Sequence, residues 1–185
     1  NPPLTLKERF GKFAPAGNVM PPLGLCYLAA MCREKRLKTG IIDAPAEGLD
    51  ELQTRDRILS ENPRFVGITA TSLSILNASN VAEAIKKENR NIVTIIGGPH
   101  ISSVPESTLN KYPSFDFGVI GEGEETVVDL INAMKNNHSA ENVKGIIYRN
   151  KNGFHRTPAR ENIKELDSIP LPALDMLPNY PYSYK

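Results

Sequence analysis

Ile92-Val93-Thr94-Ile95-Ile96-Gly97-Gly98-Pro99-His100 decides the fold. A nearly unbroken β-branched run reads as a strand buried on both faces, the kind found in parallel sheets covered by helices. The run stops at two glycines and a proline. Glycines at the carboxyl end of a parallel strand let backbone approach a ligand closely, on the edge where open α/β sheets bind things.

Outward from this strand the chain alternates strand and helix. Upstream, Pro21-Pro22 opens a helix with Leu25, Leu28, Ala29 and Cys32 on one stripe. Thr39 to Asp43 reads as a short strand, Asp50 to Ser60 as a helix, Phe65 to Thr71 as a strand, and Ala78, Val81, Ala82 and Ile85 as a helix face. Downstream come a short helix (Pro105 to Lys111), a strand (Phe115 to Ile120) and a helix with Val127, Leu130, Ile131 and Met134 on one side. Such alternation argues for right-handed βαβ crossovers and a doubly wound α/β sheet. Asn150-Lys151-Asn152-Gly153 then signals a β-hairpin, an antiparallel addition at the sheet edge or the start of a connector. Residues 1–20, with Gly11, Pro15 and Gly17, read as a long loop, and 168–185 as a proline- and tyrosine-rich tail. An α/β domain is therefore expected over 1–143, followed by a hairpin and linker over 144–185.

At 185 residues, 40% of them hydrophobic, the chain has material for one ordinary domain and an appendage. Its formal net charge of +1 and lack of any basic block speak against nucleic acid. No apolar run is long enough to span a bilayer, and no signal peptide opens the chain. Cys26 and Cys32 fall on different faces of one helix, so a disulfide between them is not expected and a reducing cytoplasm fits. Asn1-Pro2-Pro3 reads as the turn after a strand. A first strand is thus expected to be missing, and the whole to be a piece of a longer protein.

Three loops should open on one rim: Thr69-Ala70-Thr71-Ser72, Gly97-Gly98-Pro99-His100 and Gly121-Glu122-Gly123-Glu124-Glu125. Any one of them alone serves equally as a tight turn; three together point to a ligand. Gly121-x-Gly123-x-x-Thr126 is not a dinucleotide fingerprint, because Glu122, Glu124 and Glu125 would face the pyrophosphate. Those glutamates instead suit a helix N-terminus, where negative charge stabilises the dipole. Of the three histidines only His100 falls on the rim, and no metal cluster, nucleophile pattern or P-loop is visible.

These loops, in this order, are similar to the cobalamin-binding domain that precedes a radical SAM domain in many bacterial and archaeal enzymes. The likeness is carried by Asn1-Pro2-Pro3, Pro21-Pro22-Leu23-Gly24-Leu25-x-Tyr27-Leu28-Ala29-Ala30, Asp43, Val66-Gly67-Ile68-Thr69, Gly97-Gly98-Pro99-His100 and Gly121-Glu122-Gly123-Glu124-Glu125. Leu166-Asp167-Ser168-Ile169-Pro170-Leu171-Pro172-Ala173 resembles the linker into the catalytic barrel. The resemblance implies a flavodoxin-like (Rossmann-like) sheet of order 2-1-3-4-5 with cobalamin across the carboxyl-end rim. It implies cofactor contacts from Asn1, Pro2, Pro3, Thr69, Thr71, Ser72, Gly97, Gly98, Pro99, His100, Gly121, Glu122 and Gly123. Glycines and small hydroxyl residues would line a slot for the corrinoid's nucleotide tail.

Some corrinoid domains carry Asp-x-His-x-x-Gly, whose histidine ligates cobalt. Here Asp43-Ala44-Pro45-Ala46-Glu47-Gly48 has the spacing but places Pro45 at the histidine, after a different strand. Cobalamin without a protein histidine ligand is therefore implied. Cys-x-x-x-Cys-x-x-Cys is absent, so S-adenosyl-L-methionine (SAM) and a 4Fe-4S cluster are expected only in a radical SAM barrel after Lys185. That barrel, and its small-molecule substrate, would be the domain's partners. The fragment itself is not expected to be catalytic. A competing reading is a flavodoxin-like docking or sensing module that has lost cobalamin binding. A phosphate or flavin site at the Gly97–His100 turn is weaker still, since no lysine or arginine flanks it.

Overall fold

The β-branched run forms β2 (Val93–Gly97) at the second position of a five-stranded sheet. In this computed structural model, residues 1–12 and 19–182 are described. β1 (Phe65–Thr69) pairs parallel with β2 from Phe65↔Val93 to Thr69↔Gly97, and β3 (Phe117–Val119) pairs parallel on the other side through Ile95↔Phe117. The hairpin of β4 (Ile146–Asn150) and β5 (Gly153–Arg156) continues the same sheet antiparallel, beside β3. Of the two places open to the expected hairpin, it takes the antiparallel one at the sheet edge.

Helices cover both faces, as a doubly wound sheet requires. On one face lie α4 (Glu51–Leu59), α5 (Ile75–Glu88), α6 (Pro99–Ser103) and α7 (Pro105–Lys111). Ile58, Val81, Ile85, Ile101 and Leu109 from these helices pack with Val66, Ile68 and Ile96 of the sheet. The other face takes α8 (Glu124–Lys135), whose Leu130 joins Ile95, Val119 and Ile146. On that side too is α2 (Leu23–Glu34), which contacts α8. Its buried residues are Cys26, Ala29, Ala30 and Cys32. Ile96 is fully buried, and burial of such a side chain stabilises by about 1.5–3 kcal/mol.

Local sequence sets the ends. The short α3 (Ala44–Glu47) ends at Gly48, and Asp50 and Gln53 form a capping box that starts α4. At the base of the sheet the Asp116 carboxylate accepts from Lys86 Nζ (2.5 Å) and from Thr94 N (2.8 Å), tying α5 to β2 and β3.

Two expectations are corrected. Thr39 to Asp43 joins no ladder, so the order 2-1-3-4-5 is not formed among the described residues; the strands follow one another in chain order. A strand needs a neighbour, and at this segment's end Asn1 alone of the more distant described residues meets its backbone, donating to Ile42 O (2.9 Å) and accepting from Ala44 N (3.3 Å), a single bridge rather than a ladder. Nor is 1–20 all loop: α1 (Leu6–Phe10) starts at a Thr5–Glu8 capping box. Pro15 and Gly17 of that loop, and Tyr184 of the tail, lie outside the described residues. Among the described residues, no helix is long and apolar enough to cross a membrane.

Candidate functional site: the carboxyl-end rim

The three predicted loops do meet. Ala70 N donates to Gly97 O (2.9 Å) and His100 N to Ala70 O (3.2 Å), so the loop after β2 folds onto the loop after β1. The contact is tight enough to require glycine. Gly98 has φ 96° and ψ −173°, a region that residues with a Cβ essentially do not enter. A Cβ there would lie 2.8 Å from Thr69 Oγ1 and 2.9 Å from Ala70 O. Around it, Thr71 N donates to Ser74 Oγ (3.0 Å), which shapes the turn into α5. Ser72 Oγ and His100 Nδ1 share a hydrogen bond of 3.1 Å.

The third loop is attached through Ser102. Its hydroxyl donates to Gly98 O (3.0 Å) and accepts from Gly121 N (3.0 Å). Sequence reading missed this residue. The available signal was its place four residues after Gly98, where a helical serine can bond back to a carbonyl. Gly123 sits against α2, since a Cβ on it would come 3.3 Å from Leu28 Cδ2.

What the loops leave is space. Cβ atoms built on Gly97 and Gly121 meet nothing within 4 Å, although both glycines flank the junction. Thr71, Ser72 and Pro99 are exposed at its mouth, and Thr69 and His100 are half-buried there. The rim between these loops is thus open, lined by small residues and hydroxyls. A corrinoid's nucleotide tail needs such a cradle, narrow, rich in hydrogen-bonding groups and free of bulky side chains.

Not every predicted residue joins this group. Glu122 Oε2 accepts the amide of Ile163 (2.7 Å), so it fastens the segment leading to the tail. Asn1 Nδ2 donates to Asp43 Oδ1 (2.6 Å), and the other carboxylate oxygen accepts from Tyr182 OH (2.8 Å). Pro2 and Pro3 are buried. Asn1 thus belongs to a cluster built on Asp43, with no hydrogen bond to the three loops among the described residues. A separate shallow groove of about 400 Å³, lined by Glu125, Lys144, Arg160 and Ile163, lies along the linker rather than in the rim. Within it Arg160 is paired to Glu125 (2.9 Å) and to Asp129.

Burial, helped by the Lys111 charge, holds the His100 imidazole below its ordinary value of 6.5. The neutral ring is favoured in the folded chain, so the unfolded chain takes up the proton first. His100 therefore withdraws stability as pH falls through 6.5 and has no effect well above it. NMR titration should place its ring pKa below 6.5, and His100→Gln should flatten the acid side of a urea-midpoint profile.

Comparison with known proteins agrees with this geometry. The B12 binding domain family matches residues 13–131. The chain is 38% identical over 162 residues to the uncharacterized methyltransferase PH0819 of Pyrococcus horikoshii, covering 88% of this chain and 35% of that protein. It is 33% identical over 159 residues to the anaerobic magnesium-protoporphyrin IX monomethyl ester cyclase of Rubrivivax gelatinosus, covering 83% of this chain and 28% of that one. The structure of the cobalamin-dependent S-adenosylmethionine radical enzyme OxsB, with aqua-cobalamin and S-adenosylmethionine bound, superposes with a TM-score of 0.78 at 25% identity. That match covers 93% of this chain and 23% of OxsB. The chain thus spans about a third or less of the curated relatives it matches.

Proposed function

This chain belongs to the B12-binding domain family, and we propose that it holds cobalamin across the rim with no protein imidazole on the cobalt. The nucleotide tail would enter between the loops. Gly97, Gly98 and Gly121 would give it backbone to lie against, and Thr69, Thr71 and Ser72 would offer hydroxyls. The observation that carries this reading is the Gly98 junction, which closes two loops on each other while the positions beside Gly97 and Gly121 stay open. At the rim histidine, His100, the Nδ1 hydrogen bond to Ser72 and the backbone bond to Ala70 O fix the position of the ring beside the loops. Pro99 starts the short α6 and so fixes the direction in which the loop leaves the groove.

When bound, a corrinoid supplies a cobalt centre that can carry an alkyl group or change oxidation state. This chain's residues would bind and orient it and keep bulk water off one side. In the longer protein we place a radical SAM barrel after the linker, holding SAM and a 4Fe-4S cluster, with methyl transfer or related radical chemistry on a small molecule. The names of the relatives support that setting.

Mixing the chain with hydroxocobalamin should shift the visible spectrum, and pigment should stay with the protein through gel filtration. After reduction to cob(II)alamin, the electron paramagnetic resonance signal should lack nitrogen splitting from a protein imidazole. Pigment lost on the column at high micromolar corrinoid would refute binding. Nitrogen splitting that disappears in His100→Gln would refute the ligation claim alone.

A further inference from the structure

The glutamates of the third rim loop differ in one respect. Glu122 Oε2 accepts the Ile163 amide, and Glu125 pairs with Arg160. Glu124 Oε2 is enclosed by protein yet accepts no hydrogen bond among the described residues. Arg160 Nε is the other buried side-chain atom without a partner there, but its guanidinium already holds Glu125 and Asp129. A carboxylate oxygen only accepts, and one shut away from water without a donor is costly. Such atoms are rare in folded chains and call for a reason.

Glu124 opens α8 on the side turned to the sheet. Val127 and Val128, three and four residues on, share that side. Val128 is buried, and Val127 packs on the cluster of Ile95 and Val119. Helical side chains lean toward the N-terminus, so from the first position of α8 this one leans off the helix end, toward the carboxyl-end rim. Glu125, one place round the helix, stands half-exposed beside Asp129 instead. The rim is open where the loop enters α8, since a Cβ built on Gly121 meets nothing within 4 Å.

The missing partner is therefore a donor arriving from the rim, and ligand chemistry narrows which. The edge of a cobalamin's corrin ring carries primary carboxamides, neutral groups with N–H donors, whereas its nucleotide tail donates through hydroxyls. The Gly98 junction, where the tail would enter, joins the first two loops; Glu124 stands on the third, within reach of the ring edge. An amide N–H on an ionised acceptor makes a charge-assisted hydrogen bond. A carboxylate in the amide's place would bring like charge against an enclosed one. We propose that Glu124 accepts a hydrogen bond from a primary amide on the corrin edge, and so selects corrinoids amidated at that position over those with a free carboxylate there. The inference rests on the reading that cobalamin lies across the rim, and adds to it an acceptor and a basis for specificity.

The test titrates wild type, Glu124→Gln and Glu124→Met with hydroxocobalamin, with cobinamide, which has ring amides but no nucleotide, and with hydroxocobalamin monocarboxylates, in which one ring amide is hydrolysed. Urea midpoints of the three ligand-free proteins are measured alongside. Glu124→Met should raise the dissociation constant about tenfold or more for hydroxocobalamin and cobinamide alike. Glu124→Gln, which keeps an oxygen acceptor, should recover most of that loss. Ligand-free Glu124→Met should match or exceed the wild-type urea midpoint, because an orphaned buried acceptor is gone. One monocarboxylate isomer should bind wild type at least about tenfold more weakly than its parent, a gap that Glu124→Gln narrows. Equal hydroxocobalamin affinity in wild type and Glu124→Met would overturn the inference and leave cobalamin binding standing. A loss confined to hydroxocobalamin would overturn it too, since the donor would then sit on the nucleotide. So would a lowered urea midpoint in Glu124→Met, which would make Glu124 a residue of the fold. Wild type that binds no corrinoid would refute cobalamin binding and the inference with it.

Discussion

Gly98→Ala should unfold the rim and abolish tight corrinoid binding. The substitution puts a Cβ into a φ, ψ region reserved for glycine, at a cost of about 1–3 kcal/mol. It also forces that atom to 2.8 Å from Thr69 Oγ1, 2.9 Å from Ala70 O and 3.1 Å from Ala70 N. Two of those three are backbone atoms of the adjoining loop and cannot rotate away, so overpacking adds roughly another 1–3 kcal/mol. Urea denaturation should report a loss of about 3 kcal/mol. Hydroxocobalamin titration should report a dissociation constant raised by well over about tenfold, since tenfold needs only about 1.4 kcal/mol. Gly97→Ala is the matched control. Its Cβ meets open space, so stability should stay within about 0.5 kcal/mol while a side chain in the groove still weakens binding. Equal stability of the two variants would show that the loops do not need the close approach.

The second large effect concerns the fold. Arg149→Met should destabilise the chain by about 2–4 kcal/mol, because the buried Leu109 and Phe115 carbonyls lose their donor together. The reason is in the sequence. Leu109 lies in α7, and the residue four places on is Pro113, which has no N–H to give to the Leu109 carbonyl. Arg149 reaches over from β4 and supplies it, bonding through Nη2 to Leu109 O and to Tyr112 O (3.3 Å), and through Nη1 to Phe115 O (2.8 Å). Burial there lowers the guanidinium pKa, with Asp116 opposing. Arg149→Lys should recover only part of the loss, since an ammonium lacks the planar fork that spans several acceptors. Urea midpoints of the two variants decide this; wild-type stability in Arg149→Met would show that water satisfies these carbonyls.

Much of this architecture could be read directly from residue order. β-Branched runs ended by Thr69, Gly97 and Ile120 gave three parallel strands, and the apolar spacings gave α2, α5 and α8, because burial on both faces leaves a strong pattern. The rim loops followed from the topology alone. Harder to read was anything decided by distant partners. Thr39 to Asp43 has a strand's composition, but pairing depends on a neighbour rather than on propensity. Glu122 carries the same charge as Glu124 and Glu125, and nothing local says that its carboxylate takes the Ile163 amide. The short helix Leu6–Phe10 announces itself through Thr5 and Glu8, a signal hidden by the glycines and prolines around it. Asn1, Pro2 and Pro3 were grouped with the loops by sequence likeness, yet Asp43, forty-two residues from Asn1, is what holds Asn1.

Ser102 has a mechanical meaning. One oxygen atom links the Gly98 carbonyl to the Gly121 amide, so the two jaws are held within two hydrogen-bond lengths of each other, 3.0 Å on each side. The gauge of the opening is set before any guest arrives. Neither jaw can swing without straining the shared pin, so any shift of one loop loads the start of α6 and the turn into α8 together.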